Sequence, residues 1–160
     1  MSSKDKKETT ITVDGQILQQ VPSFVYLGST FQETRECEMD IRKTLGMGRS
    51  AVQLLWSIWK SRDITNTTKV RLLKSPVRPI ATYGCERWIL TKSDYRRTED
   101  FEMWCFKRQL RISWTQRKTN KWILKTLSEE KQQLYSIKKC KISYYGHIMR
   151  KTNCLEKDII

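Results

Sequence analysis

Histidine is almost absent: His147, in the context YYGHIMR, is the only one in 160 residues. With a single imidazole and no serine or cysteine in a matching context, a nucleophile-base-acid set has nothing to assemble on. Five cysteines, Cys37, Cys85, Cys105, Cys140 and Cys154, are scattered without a Cys-x-x-Cys pair. A zinc site asks for close ligand pairs with histidine, so no metal is expected and His147 reads as a packed or capping residue. The start, MSSKDKKETT, lacks the apolar core of a secretory signal, and the thiol count is odd. Both features point to reduced cysteines acting as small apolar side chains.

Long apolar runs are missing too. Nothing approaches the roughly 20 apolar residues of a bilayer-spanning helix, so no membrane span is expected and the expected location is cytoplasmic or nuclear. Glycine is sparse, and Gly46-Met47-Gly48 lacks the preceding strand and further glycines of a phosphate-binding loop. It reads as a close helix packing. Acidic residues number 17 against 31 Lys and Arg, a formal charge of +14. Two-metal phosphodiester chemistry needs carboxylates that converge on the ions. The chain offers Glu99-Asp100 on a helix and little else. Successive helix positions point about 100° apart, so this pair reads as a solvated face. The chain is expected to be no enzyme, with no catalytic residue and no cofactor.

What is present is enough for a core. Hydrophobic residues make up 38%, with six tryptophans, in a length that suits one domain or two small lobes. No repeat, low-complexity tract or Gly/Ser linker divides it. Asp14-Gly15 between TITV and QILQQV is a type I′ hairpin signal. The second strand is expected to continue through Phe24, Val25, Tyr26 and Leu27, with Pro22 at an edge or bulge. After a polar break at 32–36, Ile41, Leu45, Val52, Leu55 and Trp59 recur at the spacing of one long amphipathic helix. A second helix, capped by Asn66 or Thr67, carries Val70, Leu72 and Leu73 and is ended or kinked by Pro76 and Pro79. The stretch ATYGCERWIL reads as a turn followed by a short piece, extended or helical.

Thr91 and Asp94 cap a helix over 93–112, with Phe101, Trp104, Cys105 and Leu110 on one face. Residues 113–116 break it. Thr119 or Asn120 caps a short helix with Ile123, Leu124 and Leu127, and a last helix carries Leu134, Ile137, Lys141, Tyr144, Tyr145 and Ile148. The closing KTNCLEKDII reads as a tail. The expected fold is mainly α, an N-terminal β-hairpin followed by a bundle of about five helices.

Between Cys105 and Ser128 there is no acidic residue, while Lys107, Arg108, Arg111, Arg117, Lys118, Lys121 and Lys125 accumulate among Phe106, Trp114 and Trp122. Lys138, Lys139 and Lys141 follow on the last helix, with Arg150 and Lys151 beyond. A merely solvated face mixes signs. Cations that displace condensed counterions, beside rings on which bases stack, suit a sequence-tolerant nucleic-acid surface. Trp104 and Trp122 lie at core spacing, and Trp114, in the break, is the best stacking candidate.

Four blocks, FVYLGSTF, IWKSRDITNTTKVRLLKSPVRPIATYGCERWILT, DFEMWCFKRQLRISWTQRKTN and IKKCKISYYGHIMR, span nearly the whole chain. In this order they resemble the C-terminal part of LINE-type (non-LTR) retrotransposon reverse transcriptases. The resemblance implies that Phe24, Tyr26, Leu27 and Gly28 correspond to the primer-grip strand. It also implies that the helix from Ile41 opens a thumb followed by a C-terminal extension. The family's paired aspartates and its endonuclease would lie upstream, so the chain looks like a product truncated at its 5′ end. It also stops after GHIMR, before a further basic stretch of the family, and shows no Cys/His zinc knuckle. Pro76 stands at a normally helix-compatible position, and Gln116, Lys121 and Trp122 replace acidic or small polar residues.

The implied divisions are 1–34 for the palm edge and primer grip, 35–90 for thumb-like helices, 91–150 for the basic extension and 151–160 for the tail. The function that follows is non-catalytic binding of RNA, DNA or their hybrid, beside the remainder of a reverse transcriptase. The alternatives are a helical module for an acidic protein partner or an anionic membrane surface, and a truncated product without function.

Overall fold

A computed structural model of the protein describes residues 12–13, 16–19, 21–26, 28–32 and 37–151. The chain divides into two units, Met1–Glu36 and Cys37–Ile160. Asp14, Gly15, Leu27 and the tail from residue 152 lie outside the described residues.

The first unit holds two antiparallel pairs rather than one hairpin. Strand β1 (Thr12–Val13) pairs with β2 (Gln16–Ile17), Val13 facing Gln16, while the expected Asp14-Gly15 turn lies outside the described residues. The expected continuation of β2 through Tyr26 does not occur. Strand β3 (Ser23–Tyr26) starts after Pro22 and pairs with β4 (Ser29–Gln32), Tyr26 facing Ser29. Proline has no N–H to give a ladder. Gly28 takes φ 80, the left-handed turn region where a side chain is costly. Gly28 therefore lies in a turn between β3 and β4.

The second unit packs five helical rods. The first is α1 (Glu38–Leu54) with α2 (Trp56–Lys60), so the expected single long helix is interrupted at Leu55. The indole N–H of Trp59 donates to the Val52 carbonyl at 2.8 Å, satisfying an acceptor that the break would orphan. Buried Lys69 donates to the carbonyls of Trp59 and Ser61 at 3.2 and 2.7 Å, closing the end of α2. Gly48 sits where α1 crosses its neighbours. A Cβ there would lie 2.8 Å from Phe101 and 3.0 Å from Ala81, the close packing that the triplet suggests.

The second rod is α3 (Asn66–Leu72), a wide π turn at Leu73–Val77 and α4 (Arg78–Ala81). Its cap is Thr65, which accepts the Thr68 N–H at 3.3 Å, so Asn66 and Thr67 already belong to the helix. Pro76 does not end the rod. The π turn contains it, and such a bulge accommodates a residue that lacks the helical donor. Gly84, at φ 69, then opens the 3-10 turn Cys85–Arg87, and the chain runs extended through Trp88. The ambiguous stretch is thus helical first and extended after. Asp40 is buried in α1, where it pairs with Arg87 and accepts the Trp88 indole N–H at 3.3 Å.

The third rod, α5 (Lys92–Gln109), is capped reciprocally by Thr91 and Asp94 and buries Thr98, Phe101, Cys105, Phe106 and Gln109. It ends before residue 112 because Arg111 turns the chain back at φ 56. Thr119 caps α6 (Asn120–Leu127), and fully buried Ile123 docks it, worth about 2 kcal/mol by apolar burial. The last rod is α7 (Gln133–Arg150), which contributes Ile137 and Ile148 to burial. The fold is mainly helical, with short β-pairs preceding the helices in the chain, as the sequence predicts, and the two broken rods account for the expected number of helices.

Candidate nucleic-acid interface

The basic run begins at the last turn of α5 and continues into α6. Gln109 is buried, its Nε2 donating to the Asn66 carbonyl at 3.2 Å, and this holds the end of α5 against α3. Beyond it the chain makes two left-handed residues, Arg111 at φ 56 and Arg117 at φ 38, around the 3-10 turn Trp114–Gln116. A left-handed non-glycine residue costs roughly 1–2 kcal/mol. Strain of this kind collects at functional loops.

This loop and the end of α5 enclose a cleft of about 470 Å³ lined by Lys107, Arg108, Arg117 and Lys118 together with Trp104, Ile112 and Ser113. Aromatic rings hold several of the surrounding cations. Arg108 lies over Trp56 at 4.7 Å, Lys118 over Trp122 at 4.9 Å and Arg49 over Trp104 at 5.9 Å, while Lys60 also faces Trp56 at 5.6 Å. Each contact is worth about 0.5–1 kcal/mol at an exposed site and orients the cation without neutralising it.

Six acids among the described residues pair with cations outside this run. Glu38 pairs with Arg42 and Arg97, Asp40 with Arg87, Asp94 with Arg97, Glu99 with Lys131, Glu102 with Arg78 and Glu129 with Lys74. Among the described residues, none of Lys107, Arg108, Arg111, Arg117, Lys118, Lys121 and Lys125 is in an ion pair. Arg111 donates to the Lys60 carbonyl at 3.5 Å. Glu99, half of the adjacent carboxylate pair, is used by Lys131 at 2.8 Å.

Not every expected residue joins the cleft. Lys121 and Lys125 are exposed on α6. Lys138 lies over Tyr95 at 5.4 Å, near the start of α5, about 20 Å along that helix from Arg108. Lys139 is exposed, but Lys141 donates to the Trp88 carbonyl and serves as an anchor for α7. Trp122 is 43% exposed, against the core position its spacing suggested, because α6 buries the Ile123 and Leu127 face instead. Trp104 is half-buried beside Phe101. The backbone of Trp114 forms the 3-10 turn, and its side chain lies outside what is described. Phe24 and Tyr26 of β3 are exposed in the first unit, where Gly28 makes the turn and Leu27 is outside the described residues.

Sequence reasoning missed Arg49, Trp56 and Lys60, which the fold brings to the same end of α5. Their spacing marks one flank of the first rod, a signal overshadowed by the apolar positions beside it. It also missed a meeting of thiols. Cys85 and Cys140 come together with Glu86, their ligand atoms within 4.8 Å of one another. Burial, and then the neighbouring Cys140, push the Cys85 thiol up to about 12. Burial does the same to Cys105, so neither is a thiolate nucleophile at neutral pH. His147 is exposed in the last turn of α7.

No protein-family model, curated protein or solved structure matches the chain.

Proposed function

We propose that the chain is a non-catalytic nucleic-acid-binding module whose phosphate-contacting surface is the basic cleft at the end of α5. The observation that carries this reading is charge left uncompensated. Lys107, Arg108, Arg117 and Lys118 share one cleft, and the ion pairs of the described residues consume other cations. Polyanion backbones gain most from such a surface, through release of condensed counterions. Rings that carry cations on their faces favour phosphate contact over base reading, so RNA, DNA and their hybrid are all ligands in this proposal. The four sequence blocks make the thumb and extension of a LINE-type reverse transcriptase the kinship that fits it.

Fluorescence anisotropy with labelled single-stranded RNA, single-stranded DNA and an RNA-DNA hybrid tests the reading. Four to six neutralised phosphates give a log-log salt slope of roughly −3 to −5. An affinity that barely changes between low and physiological salt rejects it.

A second reading draws on α7. Tyr135, Ile142 and Met149 recur every seventh residue, and all are exposed, Ile142 by 72%. Such a stripe suits docking against a protein partner. Replacing Arg117 and Lys118 by Gln separates the two: nucleic-acid affinity falls under the first reading, and partner docking through α7 is untouched under the second.

A further inference from the structure

Two cysteines far apart in sequence meet a carboxylate at the junction of α7 with the Cys85–Arg87 turn. Sγ of Cys85, Sγ of Cys140 and a carboxylate oxygen of Glu86 all lie within 4.8 Å of one another. We propose that this triplet is a binding site for a zinc-class divalent ion, unconnected with the basic cleft.

The donor set fits that chemistry. Two sulfurs and one carboxylate oxygen select a borderline-soft ion over Mg2+ or Ca2+, which take oxygen donors. A tetrahedral Zn2+ with Zn–S bonds near 2.3 Å sets its sulfurs about 3.8 Å apart. The donors therefore need to close by no more than about 1 Å, a rotamer adjustment. Burial is graded across the site: Cys85 is buried, Glu86 is partly exposed and Cys140 is exposed. That gradient supplies an approach from solvent and leaves the fourth position to water, as in three-ligand zinc sites.

The backbone is arranged for it. Gly84, at φ 69, turns the chain so that consecutive residues of a 3-10 turn present Cys85 and Glu86 toward α7. On the other side, Lys141 beside Cys140 donates to the Trp88 carbonyl, holding α7 against this segment. Binding is a simple exchange: two thiol protons leave to solvent, two sulfur-metal bonds form, and the ionised carboxylate and a water complete the sphere. No redox step is involved. The ion would staple α7 to the bundle, adding to the few apolar side chains that α7 buries.

The test uses the full chain, metal-free and reduced with a phosphine, titrated with Co2+ as a spectroscopic probe. One Co2+ per chain is expected, with a sulfur-to-cobalt charge-transfer band and visible bands of tetrahedral geometry, both abolished by added Zn2+. Zn2+ is expected to raise Tm. Cys140→Ser, at an exposed position, halves the charge-transfer intensity and weakens Zn2+ binding about tenfold or more. Glu86→Gln keeps the band but weakens binding, and Cys37→Ser changes neither. No charge-transfer band at millimolar Co2+, an undiminished band in Cys140→Ser, or a Cys85-Cys140 disulfide that persists in reductant overturns the proposal.

Discussion

The carboxylate of Glu102, midway along α5, accepts the backbone N–H of Gln133 at 3.1 Å, so one helix supplies from its side the N-terminal cap of another. The same oxygen accepts the Gln132 N–H at 3.1 Å and faces Arg78 at 3.3 Å. These are the donors that a helix start leaves orphaned. Burial pushes the Glu102 carboxyl above its ordinary range, and the two N–H groups, Arg78 and Lys131 oppose that rise only in part.

Glu102→Ala and Glu102→Gln are expected to diverge. Alanine leaves two donors and a guanidinium without their acceptor, a loss of about 2–4 kcal/mol. Glutamine keeps a carbonyl for the N–H groups and carries no charge to desolvate. Because the folded state raises this pKa, the native chain loses stability as pH rises through the folded value, and glutamine removes that loss. Glu102→Gln is expected within about 1 kcal/mol of the native chain at neutral pH. Urea denaturation at pH 4 and pH 7 measures both effects, and equal damage from the two substitutions would refute the capping role.

Asp94 gives the opposite pH response. Burial works to raise its carboxyl, but the N–H and hydroxyl of Thr91 and the Arg97 guanidinium together outweigh it and hold the carboxyl below its ordinary value. A depressed folded pKa stabilises above the unfolded value, about 3.9, and the gain disappears as pH falls through the folded one. Melting temperature should therefore drop in the native chain below about pH 4. In Asp94→Asn that acid-side drop should shrink, with Tm already lower at pH 7. An unchanged acid limb in the variant would show that Asp94 does not contribute.

Gly46 and Gly48 sit two residues apart in one helix and should respond in opposite ways. A Cβ on Gly46 meets nothing within 4 Å, so Gly46→Ala gains the helix preference of alanine, about 0.5–1 kcal/mol. A Cβ on Gly48 meets Phe101 at 2.8 Å and Ala81 at 3.0 Å, both in the packed interior. Gly48→Ala is expected to cost about 1–3 kcal/mol through overpacking. Thermal melts of the two variants decide it, and a Gly48→Ala chain as stable as the native one would mean that the helix crossing is looser than described.

Local chemistry was the legible part of the sequence. Thr91 with Asp94, and Thr119, were readable as caps because the cap and the N–H it accepts stand three residues apart. Thr65 was missed by one or two positions, since the run Thr65-Asn66-Thr67-Thr68 is all cap-competent and burial of Lys69 and Val70 sets the phase. The first unit was misread where the second strand was carried on past Pro22, because a run of β-prone residues does not show that Ser23–Tyr26 pairs with a later strand, Tyr26 facing Ser29. The basic run was visible as composition. Its convergence with Arg49, Trp56 and Lys60 depends on helix packing, as does the meeting of Cys85 with Cys140, and no short-range pattern carries either. Lys141, counted for phosphate from its charge, also donates to the Trp88 carbonyl, a tertiary contact that no sequence pattern shows.

Arg117 separates folding from binding most cleanly, because its backbone and its side chain argue for different residues. The backbone is left-handed at φ 38, which glycine adopts without penalty, while the guanidinium lines the basic cleft. Arg117→Gly should stabilise the fold by up to about 1 kcal/mol through relief of that strain. It should also weaken nucleic-acid binding and lower the salt slope by roughly 0.7–0.9, the share of one phosphate contact. Arg117→Gln removes the same charge but keeps the strained backbone, so it should lose affinity equally with no gain in stability. Anisotropy titrations and thermal melts on the two variants make the comparison. If Arg117→Gly binds as tightly as the native chain, the cleft is not the phosphate surface. If both variants lose stability together, the arginine is there to hold the loop.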